Sequence, residues 1–264
     1  MAPKFSEKPG KLLPALRPGT SDCPRTGNGP TLPRGKRGVR RVRGVTMIFR
    51  DRDDAARQLV RHLVRYKGQN PLVLAIPRGA VPMGRMIADV LGGDLDVVLV
   101  RKIGAPYNPE LAVGSVDEEG GTYIADYARS AGASEEYLEA QRQKELAVMR
   151  ARRAQYTPVR PPIDPAHRVV IVVDDGLATG ATMISALRSV RARRPERLIA
   201  AVPVSPPDTL RRVQALADEV VCLDAPEYFS AVGQFYRDFP QVEDAEVIAV
   251  LAAPAQPAGG GSPR

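Results

Sequence analysis

Asp174 and Asp175 are the residues of this chain best placed to do chemistry. They follow five apolar, mostly β-branched residues, Val169 to Val173. They precede a small-residue loop, Gly176-Leu177-Ala178-Thr179-Gly180, and a helical pattern begins at about Ala181. A buried strand that ends this way puts both carboxylates at the carboxyl edge of a central strand, where open α/β sheets bind ligands. A Gly-rich turn feeding a helix offers backbone N–H groups to an anion. Thr179 and Thr182 add hydroxyl donors, and Gly180 permits close approach of a ligand to the backbone. The two carboxylates would repel a phosphate that they faced. They serve better as acceptors for neutral hydroxyls one sugar width away, and a ribose 5-phosphate satisfies both halves of the motif.

Competing uses of a strand-end aspartate are disfavoured. A P-loop ATPase needs G-x-x-x-x-G-K-[ST], and the chain has no such segment. A phosphoacceptor aspartate does not require the Thr-Gly-Ala-Thr loop. A purely structural turn does not need the whole pattern.

Two further segments supply cations. Leu72 to Ile76 reads as a buried strand running into Pro77-Arg78-Gly79-Ala80-Val81-Pro82 and an apolar helix over about 81–91. Arg78 beside Gly79 offers a guanidinium and an approachable backbone, a good local design for a pyrophosphate. Asp96 to Val100 reads as a third strand. It ends in Arg101-Lys102-Ile103-Gly104 and a loop, Ala105-Pro106-Tyr107-Asn108-Pro109-Glu110, that can clamp a polyanion and close over it.

The stretch Val172-Val173-Asp174-Asp175-Gly176-Leu177-Ala178-Thr179-Gly180-Ala181-Thr182 resembles the phosphoribosyl pyrophosphate (PRPP) motif of type I phosphoribosyltransferases. The resemblance runs from residue 48 to about 224 through three motifs in the expected order. It implies that Asp174 and Asp175 meet the ribose hydroxyls. It also implies that Gly176 and Ala178, Thr179, Gly180, Ala181 and Thr182 surround the donor, the last five around its 5-phosphate. Arg78-Gly79 resembles the pyrophosphate loop, which in that family often holds an unusual cis peptide. Arg101-Lys102 resembles the pair that precedes the mobile catalytic loop of the adenine-type enzymes, with Glu110 where those enzymes carry a loop carboxylate.

The implied reaction transfers a 5-phosphoribosyl group from PRPP to a heteroaromatic, nucleobase-like acceptor and releases pyrophosphate. Its oxocarbenium-like transition state needs no protein nucleophile, only positioning, charge stabilisation on the leaving group and exclusion of water. Mg²⁺ is expected on the pyrophosphate, held mainly through substrate and water rather than by protein ligands. Hypoxanthine-guanine-type enzymes carry an aspartate where this chain has Ala178, which brings the motif nearer to the adenine type without fixing the acceptor. The alternative is a non-catalytic PRPP or nucleotide sensor on the same fold. A phosphatase is disfavoured for want of a metal cluster or an activated nucleophile.

The elements that position these residues alternate along the chain. Asp51 to Lys67 is an amphipathic helix stopped by Gly68. Residues 111–116 and 121–125 suit a short β pair, and Ser134 caps a charged helix to about Gln155. The motif helix runs to about Arg194. A strand over Leu198–Val204, a helix from Pro206 to about Ala217 and a strand over Glu219–Leu223 follow. This predicts an α/β fold, a doubly wound, mainly parallel sheet of the type I phosphoribosyltransferase kind with a small hood or flap. Residues 225–240 hold five of the thirteen aromatics and read as a packing flap or dimer contact, or as a hood over the acceptor.

The expected organisation is a basic extension over 1–46, a core over 47–224, a hood and C-terminal element over 225–252, and a Pro/Gly-rich tail over 253–264. The first 44 residues hold 11 Lys and Arg against 2 Asp and Glu. The chain's net charge of +8 therefore belongs to them, and the remainder carries −1. Nucleic acid is a partner such an arm can take. Met47 is where a domain of this kind normally begins, so an upstream start is an equal reading of residues 1–46. A homodimer is the expected assembly. Cys23 and Cys222 make no disulfide framework, and His62 and His167 form no metal or nucleophilic cluster. With no signal-like or membrane-length apolar run, the expected location is the cytoplasm.

Overall fold

A computed structural model of the chain describes residues 48–254. The core is a five-stranded sheet in the order β2-β1-β6-β7-β8, every neighbouring pair parallel. In chain order the elements begin with α1 (Arg52–Leu63), continued by a 3-10 turn (Val64–Tyr66), then β1 (Leu72–Ala75), α2 (Ala80–Leu91) and β2 (Asp94–Val97). A second layer follows: β3 (Val100–Ala105), β4 (Asn108–Asp117) and β5 (Thr122–Ile124), an antiparallel sheet of its own, and then α3 (Glu135–Tyr156). The chain returns to the core through β6 (Val169–Val173), α4 (Ala181–Ala192), β7 (Arg197–Val204), α5 (Pro207–Gln214) and β8 (Glu219–Asp224), and ends in α6 (Asp244–Ala252).

Side-chain alternation explains why the central strands read as unbroken apolar runs. Along β6, Val169, Ile171 and Val173 pack with α1, α2, α3 and α6, while Val170 and Val172 pack with α4 and α5. Both faces of the sheet are covered at β6, and that strand carries no polar residue. Each such residue contributes roughly 2 kcal/mol of burial, an upper figure on an extended-chain reference. The caps follow the sequence: Asp51 accepts from the Asp54 N–H at the start of α1, and Ser134 Oγ accepts from the Tyr137 N–H at the start of α3.

One expectation needs correction. The strand over Asp96–Val100 ends at Val97, and the chain leaves the core sheet at Val98-Leu99. Arg101 and Lys102 therefore lie inside β3 and not at the end of a core strand. Within β3, Val100, Ile103 and Ala105 are buried while Arg101 is exposed, the register against β4 shifts around Gly104, and the tight turn at Pro106-Tyr107 folds β4 back onto β3. The sheet is parallel throughout, with the antiparallel pairing confined to the second layer. The element beyond β8 contains a helix, α6, which the aromatic pattern does not announce. The extension over 1–46, Met47, Cys23 and residues 255–264 lie outside the described residues.

Candidate active site

The strand order reverses between β1 and β6. The β1-α2-β2 unit winds one way, and β6-α4-β7-α5-β8 winds the other. Loops on either side of such a switch point diverge and leave a crevice at the carboxyl ends of the strands. Here those loops are Pro77-Arg78-Gly79 and Asp174 to Gly180. They touch: a Cβ added at Gly79 would collide with Asp175 Oδ2 and stand 3.1 Å from Arg52 Nη2. Glycine is required at 79 for this approach. The Pro77–Arg78 peptide is cis.

The second loop is fixed from below. The Leu177 N–H donates to Val204 O at 2.9 Å, Thr209 Oγ1 donates to Ala178 O at 2.8 Å, and Arg212 Nη2 donates to Thr179 O at 2.6 Å. α5 thus pins the loop carbonyls inward, while Ala178 and Thr179 are exposed and Thr182 half-buried. Gly180 has φ +71°, and a Cβ there would come within 2.5 Å of Thr209 Cγ2, so glycine serves both the turn and the packing. α4 starts at Ala181, and its first N–H groups have no partner earlier in the helix.

The two carboxylates differ. The Asp175 N–H donates to Asp174 Oδ1 at 2.9 Å, and no cation contacts Asp174 directly among the described ion pairs. Burial, reinforced by the neighbouring Asp175 charge, pushes the Asp174 carboxyl well above the usual range. Asp175 is also pushed up by burial, but Arg52 opposes the shift. Arg52 Nε and Nη2 lie 2.9 and 2.8 Å from Asp175 Oδ2. That guanidinium also donates to Pro240 O at 2.6 Å and stacks 3.8 Å over the Phe239 ring. Tyr236 OH donates to Asp175 O at 2.7 Å, and burial raises its phenol pKa. The aromatic segment therefore packs on the start of α1 and backs the acidic loop. Its rings contact one another and Phe49 at 4.7–5.4 Å, and Tyr228 is left exposed.

Sequence reasoning missed Arg52. Its signal was local, an Arg at the first position of a capped helix, but its partner lies 123 residues away. Only the closed topology pairs them.

Beside the crevice lies a cleft of about 520 Å³. Pro77, Thr182, Arg101 and Lys102 contribute to its wall, and α3 closes it with Tyr137, Lys144, Glu145, Met149 and Arg152. Asp174, Asp175, Arg78 and Gly79 lie outside this lining. The structure thus brings Arg101, Lys102 and Thr182 to one cleft, and Arg78, Gly79, Asp174 and Asp175 to the adjoining loop contact. Arg101 Nε lies 2.6 Å from Glu145 Oε2, and Arg78 Nη1 lies 3.1 Å from Glu243 Oε2, so both arginines rest on carboxylates. Glu110 falls within β4, and its side chain lies outside what the structure describes.

Among the described residues no group of three or more His, Cys, Asp or Glu side chains gathers to cage a metal. The donor set at the loop edge still fits a hard cation carried by a ligand. Two adjacent carboxylates, one of them held protonation-prone by burial, gain from a nearby positive charge. No helix among the described residues is long and apolar enough to cross a membrane. Cys222 is buried, and its Sγ donates to Asp224 O at 3.0 Å.

Comparison with known proteins agrees with this architecture. Residues 44–240 match the phosphoribosyl transferase domain family model. Two Mycobacterium tuberculosis proteins, from strains CDC 1551 and H37Rv, each named "Putative phosphoribosyl transferase", are 40% identical over 205 residues, 77% of this chain. The chain spans about half the length of those relatives, 46%. The solved protein TT1426 of Thermus thermophilus is 45% identical with a TM-score of 0.72, covering 78% of this chain and 98% of its own. A parallel sheet switched at two touching ligand-type loops and a family match over most of the chain lead to one conclusion: the chain belongs to the phosphoribosyl transferase domain family.

Proposed function

We propose that the protein binds PRPP with Mg²⁺ and transfers its 5-phosphoribosyl group to a heteroaromatic, nucleobase-like acceptor. The 5-phosphate rests on the backbone and hydroxyls of Ala178 to Thr182. The ribose hydroxyls donate to Asp174 and Asp175, and the diphosphate meets Arg78, the Gly79 backbone, Arg101 and Lys102. The observation that carries this reading is the contact between Gly79 and Asp175 at the switch point. It puts a cationic, approachable backbone against a sugar-type acid pair within one crevice.

In this reading the C1–O bond to diphosphate breaks as the C1–N bond to the acceptor forms. The protein's part is electrostatic and positional. Arg78 and Arg101 exchange their carboxylate partners for phosphate oxygens, where charge-assisted, bidentate contacts are stronger. Arg52 opposes the burial-driven rise at Asp175 and holds its carboxylate in one orientation, ready to accept. When bound with the donor, Mg²⁺ would be held mainly by the substrate, near Asp174 and Asp175, and would supply charge neutralisation of the leaving group. The catalytic unit is residues 47–224, with 225–252 as hood and back support, and its setting is a reducing cytoplasm.

Exchange of labelled pyrophosphate into PRPP, run across a panel of nucleobases beside a calorimetric PRPP titration, tests the reading. Exchange supported by a particular base is the expected result. PRPP binding without turnover of any base would replace the transferase by a PRPP-sensing regulator. Absence of PRPP binding would sink both.

A further inference from the structure

We propose that Arg152 is a further ligand of the leaving diphosphate, and that Asp244 and Glu243 stand in for that diphosphate while the site is empty. This rests on the transferase reading. α3 presents Glu145, Met149, Arg152 and Tyr156 along one stripe, at spacings of four, three and four residues, and the first three line the cleft. Arg152 reaches the same wall as Pro77, Arg101 and Thr182. Its other neighbour is Asp244, the first residue of α6: Arg152 Nε lies 3.8 Å from Asp244 Oδ1. Arg78 Nη1 lies 3.7 Å from Oδ2 of that carboxylate and 3.1 Å from Glu243 Oε2. Tyr156 OH donates to Asp244 Oδ1 at 2.9 Å. Two guanidinium groups and a phenol, from the β1 loop and α3, therefore converge on one anionic group.

The grip is loose. Both arginine contacts to Asp244 are ion-pair distances and too long for hydrogen bonds. Asp244 and Glu243 keep 37% and 62% of their side chains exposed, so the pairs are screened and cost little to give up. A diphosphate brings more charge and more acceptor oxygens than one carboxylate, and it wins the exchange. Arg101 also rests on a carboxylate lining the cleft, Glu145, but at a hydrogen-bond distance of 2.6 Å. Arg78 and Arg152 thus share displaceable acids, which keep them extended and neutralised until the ligand arrives.

The test is calorimetric titration of the full chain with inorganic diphosphate, with PRPP and with ribose 5-phosphate, all in the presence of Mg²⁺. Arg152→Gln should weaken diphosphate and PRPP by about tenfold or more, the value of one charge-assisted contact, and leave ribose 5-phosphate unchanged. Arg150→Gln, at an exposed position two residues away, should match wild type for all three ligands. Asp244→Asn should tighten diphosphate binding several-fold. Glu243→Gln, at a position too exposed to threaten folding, should do the same to a smaller degree. Diphosphate binding by Arg152→Gln equal to that of Arg150→Gln would overturn the role of Arg152. Unchanged or weaker binding in both acid variants would overturn the stand-in role. A wild-type protein that binds neither diphosphate nor PRPP would overturn the transferase reading itself, a distinct result.

Discussion

The two sheets of this molecule each carry part of the proposed donor site, and they are built to different standards. The parallel sheet holds the sugar-phosphate loop and Gly79 on strands buried on both faces; β1 and β6 have no exposed position. The antiparallel sheet holds Arg101 and Lys102 on a strand that mixes buried and solvent-exposed positions. β5 is exposed throughout, and β3 breaks register against β4 around Gly104. Its small core is Ile103, Ala105, Val113, Ala128 and Ala133. Burial density sets how readily a region opens locally. On the proposed reading, the sugar half of the site, together with Arg78 and Gly79, therefore sits on the rigid layer, and Arg101 and Lys102 sit on the layer better able to shift.

One side chain joins the two layers. Arg153 of α3 pairs with Asp96 of β2 at 3.1 Å and with Glu118, just past β4, at 2.5 Å, and it donates to Val97 O at 3.0 Å. Asp96 is almost fully buried and also accepts from the Val97 and Ile163 N–H groups. Burial works against the Arg153 charge, but Glu118 and Asp96 outweigh it and raise its pKa. Arg153→Met leaves Asp96 as an uncompensated buried charge and should cost about 3–5 kcal/mol in denaturant unfolding. Hydrogen exchange should quicken most in residues 100–125. Uniform quickening across both sheets would mean that the layers are one cooperative unit and that they do not differ in rigidity.

Within the rigid layer, Gly79→Ala drives a methyl group into the Asp175 carboxylate and Arg52. PRPP affinity should fall by roughly a hundredfold, close to 3 kcal/mol, because the collision displaces both loops together. Calorimetry on the folded variant measures this. A loss below about threefold would mean that the loops adjust independently, as the outer layer is expected to and the core is not.

The same contrast decides what can be read from the sequence. β6, α4, β7 and β8 are legible because fully buried strands leave unbroken apolar runs, and Asp174-to-Thr182 is legible because its chemistry is local. The outer layer is half legible. The β4–β5 pairing around Glu118 to Gly121 carries turn residues, but Arg101 and Lys102 look like the end of a core strand because the Val98-Leu99 crossing between sheets is apolar and reads as a continuation of it. Arg52, Arg152, Glu145 and Asp244 are invisible as a group. Each is an ordinary charge on an amphipathic or capped helix, and only long-range packing brings it to a partner. α6 is hidden for another reason: Asp244 to Ala252 is short and apolar nearly all round, with no helical stripe to mark it.

The acid pair gives a pH test of the rigid layer. A carboxyl whose folded pKa lies above its unfolded value contributes stability below the unfolded pKa and loses it as pH rises through the folded one. Asp174 is such a group, raised by burial and by Asp175. Wild-type stability should therefore decline relative to Asp174→Asn as pH climbs from the ordinary carboxylate range toward neutrality, read by denaturation midpoints at a series of pH values. Arg52→Gln should deepen the decline, since Arg52 is what restrains the rise at Asp175. Parallel pH profiles for wild type and Asp174→Asn would show that the carboxyl is solvated and unshifted. PRPP or Mg²⁺ should flatten the wild-type profile by favouring the ionised pair.

The smallest effect is expected on the outer layer's solvent side. Tyr123 of β5 has 39% of its surface exposed and lies under the Arg188 guanidinium of α4, 3.3 Å from ring centroid to carbon. An exposed cation–π pair contributes about 0.5–1 kcal/mol. Tyr123→Ala should therefore shift unfolding by no more than about 1 kcal/mol beyond the lost ring burial, and it should leave PRPP and diphosphate affinity unaltered. The reason is geometric: β5 pairs only with β4, and neither Tyr123 nor Arg188 lines the cleft. If Tyr123→Ala weakened diphosphate binding as Arg152→Gln is expected to, β5 would be transmitting its packing through β4 to Arg101 and Lys102. The outer sheet would then have to be counted as a rigid part of the site.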